Sequence, residues 1–302
     1  MGPDRDRALD GFLPPEHPLS PRSALEAVSP LIRPLVRYEP RAWWEEDTAR
    51  LPPELGAYRR WVRDFAERVV RPRALEADAA PHAAPGACEG AARDVLEEAG
   101  RAGLLSDFLP WPLGAQRAAI MRHPLFLPQA LKVEELAVAD GGLMLLISAH
   151  GLGVAPVLLS GEVSAIRRWV LPAYRASLRG APHLFAFAIT EPDAGSDVED
   201  SLGAALLRPG TVARRVDGGW SLRGRKVYIS GGDVAKSVVV FAALEGEGME
   251  SWTVFLVSRD TPGFRAARTE LKMGMRASSA AELVFDDVHV PDAAVIGGLR
   301  KG

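Results

Sequence analysis

Near Gly180 the spacing of apolar residues changes character, and that change sets the layout of the 302-residue chain. Before it the spacing is helical. Tyr58, Trp61, Val62, Phe65 and Val69 recur at i, i+3, i+4, i+7 and i+11, with Arg59, Arg60, Arg63, Asp64 and Glu67 on the other face. That pattern predicts an amphipathic helix whose stripe packs on other helices. Pro72 is expected to end or bend it. Further helices are expected over 91–102 with Gly103 as the stop, from before Leu131 through Val138, and from 163 to about 177 with a bend at Pro172. After Gly180 short β-branched and aromatic runs take over, at 186–190, 211–216, 220–229, 237–242, 252–257, 283–285 and 288–290. Asp217-Gly218-Gly219 between two such runs predicts a hairpin with positive φ at both central residues. The expected fold class is therefore α+β multidomain, with an all-helical domain over 54–182 followed by an antiparallel β-sandwich or barrel over 183–302. The first 53 residues hold ten prolines. They read as an extended arm with short turns at most.

Composition narrows the function classes. Apolar residues make up 47% of the chain and charged residues 25%, enough apolar mass for a packed core. The single cysteine, Cys88, excludes an internal disulfide and a cysteine metal cluster. The six histidines show no metal-ligand spacing. Net charge is −3, which argues against general nucleic-acid binding. Only five of the 36 basic residues are lysine, and the arginines are spread along the chain, as GC-rich coding would leave them. Residues 1–10 contain no apolar run of the secretory kind, so the expected location is cytoplasmic. Between Asp140 and Glu162 no charge occurs, a length that spans a bilayer. His150, Gly151, Gly153 and Pro156 interrupt it, so the expectation is two consecutive buried helices broken near 150–153 and no membrane span.

Three segments of the second half place Gly, Ser and Thr just after strands. Thr190-Glu191-Pro192-Asp193-Ala194-Gly195-Ser196-Asp197 is either a surface turn or a loop whose small residues let a ligand approach the backbone. In 226–237 the order Lys-Val-Tyr-Ile-Ser-Gly-Gly…Ala-Lys-Ser resembles a phosphate loop but fails as one. Ser230 and Ala235 stand where glycines belong, and a strand rather than a helix follows. Alternation in a strand puts Tyr228 and Ser230 on one face, which suits either a core tyrosine or the edge of a planar heteroaromatic ligand. In 272–279 Arg276 offers a fork for an anion or a structural salt bridge. Asp286-Asp287 is no catalytic pair, because one of two adjacent strand residues points away.

Taken in order, AFAITEPDAGSD (186–197), GRKVYISGG (224–232), TPGF (261–264), KMGMRASSAAELVFDDVHVP (272–291) and VIGG (295–298) resemble the acyl-CoA dehydrogenase family of flavoproteins. The helical half is similar too, in YRRWVRDFAERVVRPRA (58–74), EEAGRAGLL (97–105) and EELAVADGGLMLLISAHGLG (134–153). The resemblance covers about 54–302 and leaves the arm outside. It implies bound FAD and α,β-dehydrogenation of an acyl thioester, with hydride passing to the flavin and electrons leaving to an electron-transferring flavoprotein. By resemblance Phe187, Ile189 and Thr190 line the flavin edge, and Ser196 lies near the pyrophosphate or the thioester. Tyr228 takes the place of an aromatic on the flavin, and Ser230 that of a hydroxyl near N5. Arg276 resembles a structural residue. The family's base is a Glu of a C-terminal helical bundle, and no residue here matches it. The expectation is therefore an oligomer with a chain that carries the bundle. Two other readings stay open: a non-catalytic or regulatory subunit, and a flavin monooxygenase or carrier-protein-bound acyl dehydrogenase of the same fold.

Overall fold

The computed structural model describes residues 31, 40–80, 85–86, 90–195 and 209–302. Contact density divides the chain at Trp61–Val62 into two units. The first carries helix α1 (Pro40–Ala49) and the start of α2 (Pro53–Phe65). A ten-residue helix corrects the expectation of an extended arm. The reason is local: proline is compatible with the first helical turn, and none occurs between Pro40 and Pro52. Arg59, expected on the polar face of α2, is buried instead. Its guanidinium lies 2.6 Å from the Asp47 carboxylate and 5.5 Å from the centre of the Trp44 ring. Trp61, expected in the apolar stripe, is partly exposed.

In the second unit Pro72 does bend the chain, through a specific device. Proline has no N–H and crowds the carbonyl four residues back. Ahead of it, residues Ala66–Val70 form a π turn, in which the Arg71 N–H donates to the Ala66 carbonyl five residues back. The same arrangement recurs before Pro172, where Ile166–Val170 is a π turn and the Leu171 N–H donates to the Ile166 carbonyl. The extra residue rotates the buried face, so that Val70 is buried where the stripe predicted Val69. Helices α3 (Ala74–Ala79), α4 (Ala91–Arg101), α5 (Phe126–Ala139), α6 (Gly141–Leu159) and α7 (Leu171–Leu178) complete the helical part.

Helix α6 overturns the expected break near 150–153. The break falls at Asp140, whose side chain caps α6 by accepting from the Leu143 N–H at 2.6 Å. By length and composition α6 is apolar enough to cross a bilayer, and half of its most apolar window is buried inside the protein. Its glycines serve packing. A Cβ on Gly151 would meet the Phe108 ring, and one on Gly153 would lie 2.7 Å from the Phe185 backbone. His150 supports the same approach: Nε2 bonds the Leu105 carbonyl at 2.8 Å, and Nδ1 accepts from the Phe185 N–H at 3.0 Å. Its ring is therefore neutral and protonated on Nε2.

The β part has strands β1 (Phe185–Ala188), β2 (Val212–Val216), β3 (Gly219–Ser230), β4 (Ser237–Leu244), β5 (Thr253–Ser258), β6 (Phe264–Thr269), β7 (Ala280–Pro291) and β8 (Val295–Ile296). Among the described residues the order is β6-β7-β3-β2-β4-β5-β8, with β1 also on β4. The sheet is mostly antiparallel, but β1 and β2 both run parallel to β4. The expected β2–β3 hairpin forms, pairing Val216 with Gly219. Only Gly218 takes a left-handed φ, 78°, so the expectation of positive φ at both loop residues is half wrong. Alternation also fails at Asp286-Asp287. The β3–β7 register slips between Leu222 and Gly224, and both carboxylates are exposed. Val154, Val157, Tyr174, Phe185, Val239, Phe241 and Leu256 form the core that joins α6 and α7 to β1, β4 and β5.

Candidate functional site at the ends of β1 and β3

β1 pairs with the first half of β4, from Phe185 opposite Ser237 to Ala188 opposite Val240. β2 pairs with its far end, Val212 opposite Ala243. The two short strands thus lie end to end in one lane between β4 and β3, and the candidate loop leaves the sheet at the gap. The turn there is tight, with the Glu191 N–H donating to the Ala194 carbonyl at 2.8 Å. Glu191 also closes the gap. Its Oε2 accepts from the Gly210 N–H at 2.6 Å and its Oε1 from the Thr211 N–H at 3.0 Å. Lys226 Nζ, from β3, donates to Glu191 Oε1 at 2.8 Å and to the Ile189 carbonyl at 2.9 Å. The Val227 N–H donates to the Thr190 carbonyl at 2.9 Å. Thr190 is therefore held by its own carbonyl and by its neighbour's.

Both members of the ion pair are buried, at 0% exposure for Lys226 and 7% for Glu191. For Glu191, burial pushes the carboxyl up, but the Lys226 charge and bond with the Gly210 and Thr211 donors outweigh it and hold the group below the usual carboxylate range. For Lys226, burial lowers the ammonium while Glu191 holds it up. With both oxygens hydrogen-bonded and a buried ammonium as partner, Glu191 reads as a staple.

The expected site residues separate into two groups. Phe187 and Ile189 pack, half-buried, against the main core, and the Phe187 ring meets Phe241 edge-on with centroids 5.1 Å apart. Thr190, Tyr228 and Ser230 lie at the adjoining ends of β1 and β3, which the Val227–Thr190 backbone bond joins. The simple alternation argument for Tyr228 and Ser230 needs correction, because β3 bulges between Lys226 and Ile229 and Tyr228 has φ 58°. A left-handed non-glycine residue costs roughly 1–2 kcal/mol. The strain holds an aromatic ring 63% exposed, beside buried Ile229 and half-buried Ser230. Strain of this kind points to function more often than to packing. Neither the Thr190 nor the Ser230 hydroxyl has a hydrogen-bond partner among the described residues. An exposed aromatic ring and two such hydroxyls, all carried by the adjoining ends of β1 and β3, suit the edge of a planar heteroaromatic ligand such as a flavin. Ser196 lies outside the described residues, as does Cys88.

Sequence reasoning passed over Lys226 and gave Glu191 no structural part. The available signal was a lone lysine inside an apolar strand, which needs a buried counter-charge. It also set Arg276 aside. The Arg276 Nε donates to the Asp78 carbonyl at 3.0 Å, a structural contact to backbone. A second concavity, of about 590 Å³, lies elsewhere, lined by Glu162, Arg215, Trp220 and Asp292 among others. Its charges are already spent, since Arg215 pairs with Asp292.

Comparison with known proteins agrees with this architecture. Residues 52–176 match the family model described as acyl-CoA dehydrogenase, N-terminal domain, and residues 186–288 match the middle domain. Cyclohex-1-ene-1-carbonyl-CoA dehydrogenase of Geobacter metallireducens is 34% identical over 80% of this chain and 57% of its own length. The human mitochondrial short-chain specific acyl-CoA dehydrogenase is 31% identical over 85% of this chain and 58% of its own. The crystal structure of an acyl-CoA dehydrogenase complexed with FAD from Bacillus anthracis superposes with a TM-score of 0.68 at 27% identity, covering 84% of this chain and 39% of that one. The chain thus spans less than three-fifths of the curated relatives it matches. It belongs to the acyl-CoA dehydrogenase family, of which it carries the N-terminal and middle domains.

Proposed function

We propose that this chain supplies the flavin-contacting half of an FAD-dependent acyl-CoA dehydrogenase acting on the CH–CH bond of an acyl thioester. The observation that carries the reading is Tyr228, a strained and exposed aromatic at the end of β3, two residues before Ser230 and next to the Val227 N–H that bonds the Thr190 carbonyl. When bound, FAD would supply the hydride acceptor. Tyr228 would cover the ring system, and Thr190 and Ser230 would hydrogen-bond its edge. The Glu191–Lys226 staple would keep the Thr190 backbone in register. Ser196 is assigned to the pyrophosphate or the thioester by resemblance alone. Glu191 is held by three donors and is not assigned as the base; by resemblance alone the α-proton goes to a Glu of the family's C-terminal helical bundle. This favours assembly with a chain, or a further segment, that carries the family's helical bundle. An electron-transferring flavoprotein is the proposed acceptor, and the thioester chain length is left to experiment.

The test is direct. The purified chain is titrated with FAD while flavin fluorescence is followed. Candidate partner polypeptides and a panel of acyl-CoA thioesters are then added under anaerobic conditions. Quenching on FAD addition and bleaching of the visible band on thioester addition are expected. A chain that takes up no flavin, alone or in any mixture, overturns the reading.

A further inference from the structure

The end of β3 that carries Tyr228 and Ser230 is tied to the helical part at two polar points, one in its own turn and one in the loop that leads into β7, whose Ala280 pairs with Ser230. β3 runs into a turn in which the Ala235 N–H donates to the Gly231 carbonyl at 2.8 Å. Gly231 itself donates to the Ser279 carbonyl at 3.0 Å. Inside this turn sits Asp233, a carboxylate only 2% exposed, with both oxygens occupied. Oδ2 accepts from the Gly86 N–H at 2.8 Å, and Oδ1 accepts from the Ser279 hydroxyl. Its carbonyl accepts from the Arg259 guanidinium. The side chain thus ties two segments, and the backbone carbonyl a third, to the turn that follows Ser230. The second point is Arg276, whose Nε donates to the Asp78 carbonyl at 3.0 Å and whose N–H reaches Asp78 Oδ1 at 3.3 Å.

Between these points glycines let the two layers approach closely. A Cβ on Gly231 would stand 3.2 Å from Leu146 of α6, and one on Gly142 would stand 3.0 Å from Ala277. Apolar contact of this kind brings surfaces together without fixing their lateral register. Directional hydrogen bonds to buried groups do fix it.

We propose that Asp233 and Arg276 are positioning residues that lock the end of β3 against the helical layer and so hold Tyr228 and Ser230 in flavin-binding geometry. The proposal rests on the flavin reading above. Neither residue touches the flavin edge; each acts through the strand end it anchors.

The full chain is compared with Asp233→Ala, Asp233→Asn, Arg276→Ala and, as a control, Arg223→Ala, which breaks an exposed ion pair to Asp287. Three quantities are read: the FAD dissociation constant by fluorescence quenching, the visible spectrum of bound flavin, and the melting midpoint of the flavin-free chain. Asp233→Ala and Arg276→Ala are expected to weaken FAD binding about tenfold, the loss of roughly one charge-assisted hydrogen bond, and to shift the bound-flavin band. Asp233→Asn should restore both, because its amide can serve Gly86 and Ser279 once the serine hydroxyl rotates to accept. Arg223→Ala should match wild type. Wild-type affinity and spectrum in both alanine variants would overturn the proposal. So would weakened binding with an unshifted bound-flavin band, which marks a merely structural role. A wild-type chain that takes up no FAD brings down the flavin reading and this proposal together, an outcome distinct from the other two.

Discussion

The residues that most constrain this molecule are charged or titratable groups placed where water does not reach. Lys226 and Glu191 are the strongest case. Removing one partner of a buried pair leaves an uncompensated charge and costs about 3–5 kcal/mol. Lys226→Met should therefore lower unfolding free energy by about that amount in urea titration, and adding Glu191→Gln should recover part of it by neutralising the orphan. A double variant no more stable than Lys226→Met would refute the pairing argument. His150 gives a pH dependence. Burial pushes it down to about 3, and His183, half-buried and facing the Lys236 charge, is pushed down to about 4. Each folded value lies below the unfolded one, so the unfolded chain binds more protons as the solution acidifies. The stability of the neutral imidazoles is complete above about pH 6.5 and is lost as pH falls toward 3–4. For His150 alone the loss at pH 5 is about 2 kcal/mol. Melting midpoints taken from pH 7 to pH 5 should fall, and His150→Gln should flatten the slope.

At the scale of elements, helix α6 shows how one residue type carries opposite meanings. Gly151 and Gly153 read as breakers, because glycine costs a helix interior roughly 1 kcal/mol relative to alanine. In place they are contact points, where the Phe108 ring and the Phe185 backbone come too close for a Cβ. Gly153→Ala should therefore destabilise by about 1–3 kcal/mol despite its better helix propensity, since overpacking outweighs the gain. A variant that melts at or above the wild-type temperature would show that the helix and β1 can separate at little cost. The two prolines make a complementary point. Pro72 and Pro172 mark the bends in the sequence, but the spacing of apolar residues does not show that the chain absorbs each proline through a π turn in the five residues before it.

For the molecule as a whole, the layering of helices on a mostly antiparallel sheet leaves the Tyr228 ring exposed at the end of β3. A ligand that binds the folded state alone stabilises it by mass action. FAD at about 100 times its dissociation constant should therefore add about 2.7 kcal/mol and raise the melting midpoint measurably. The same addition should do markedly less for a Tyr228→Ala variant. An equal shift in both would remove Tyr228 from the flavin contact.

Much of this was readable from residue order alone. Helical spacing before Gly180 and β-branched runs after it placed the elements, because those periods depend on backbone geometry that neighbouring residues set. The motif order placed the family, and the Asp217-Gly218 turn placed a hairpin. Other features needed the folded chain. α1 escaped because proline density was averaged over the whole arm, although 41–51 contain none. The buried position of Arg59, the bulge at Tyr228, the exposed Asp286-Asp287 pair and the Glu191–Lys226 staple all join residues distant in sequence or depend on a partner strand's register. The sequence by itself determined what kinds of element form, in what order and in what family. Tertiary structure decided which charges meet and which side chains stand open at the site, because burial and pairing arise from distant segments and no local pattern encodes them.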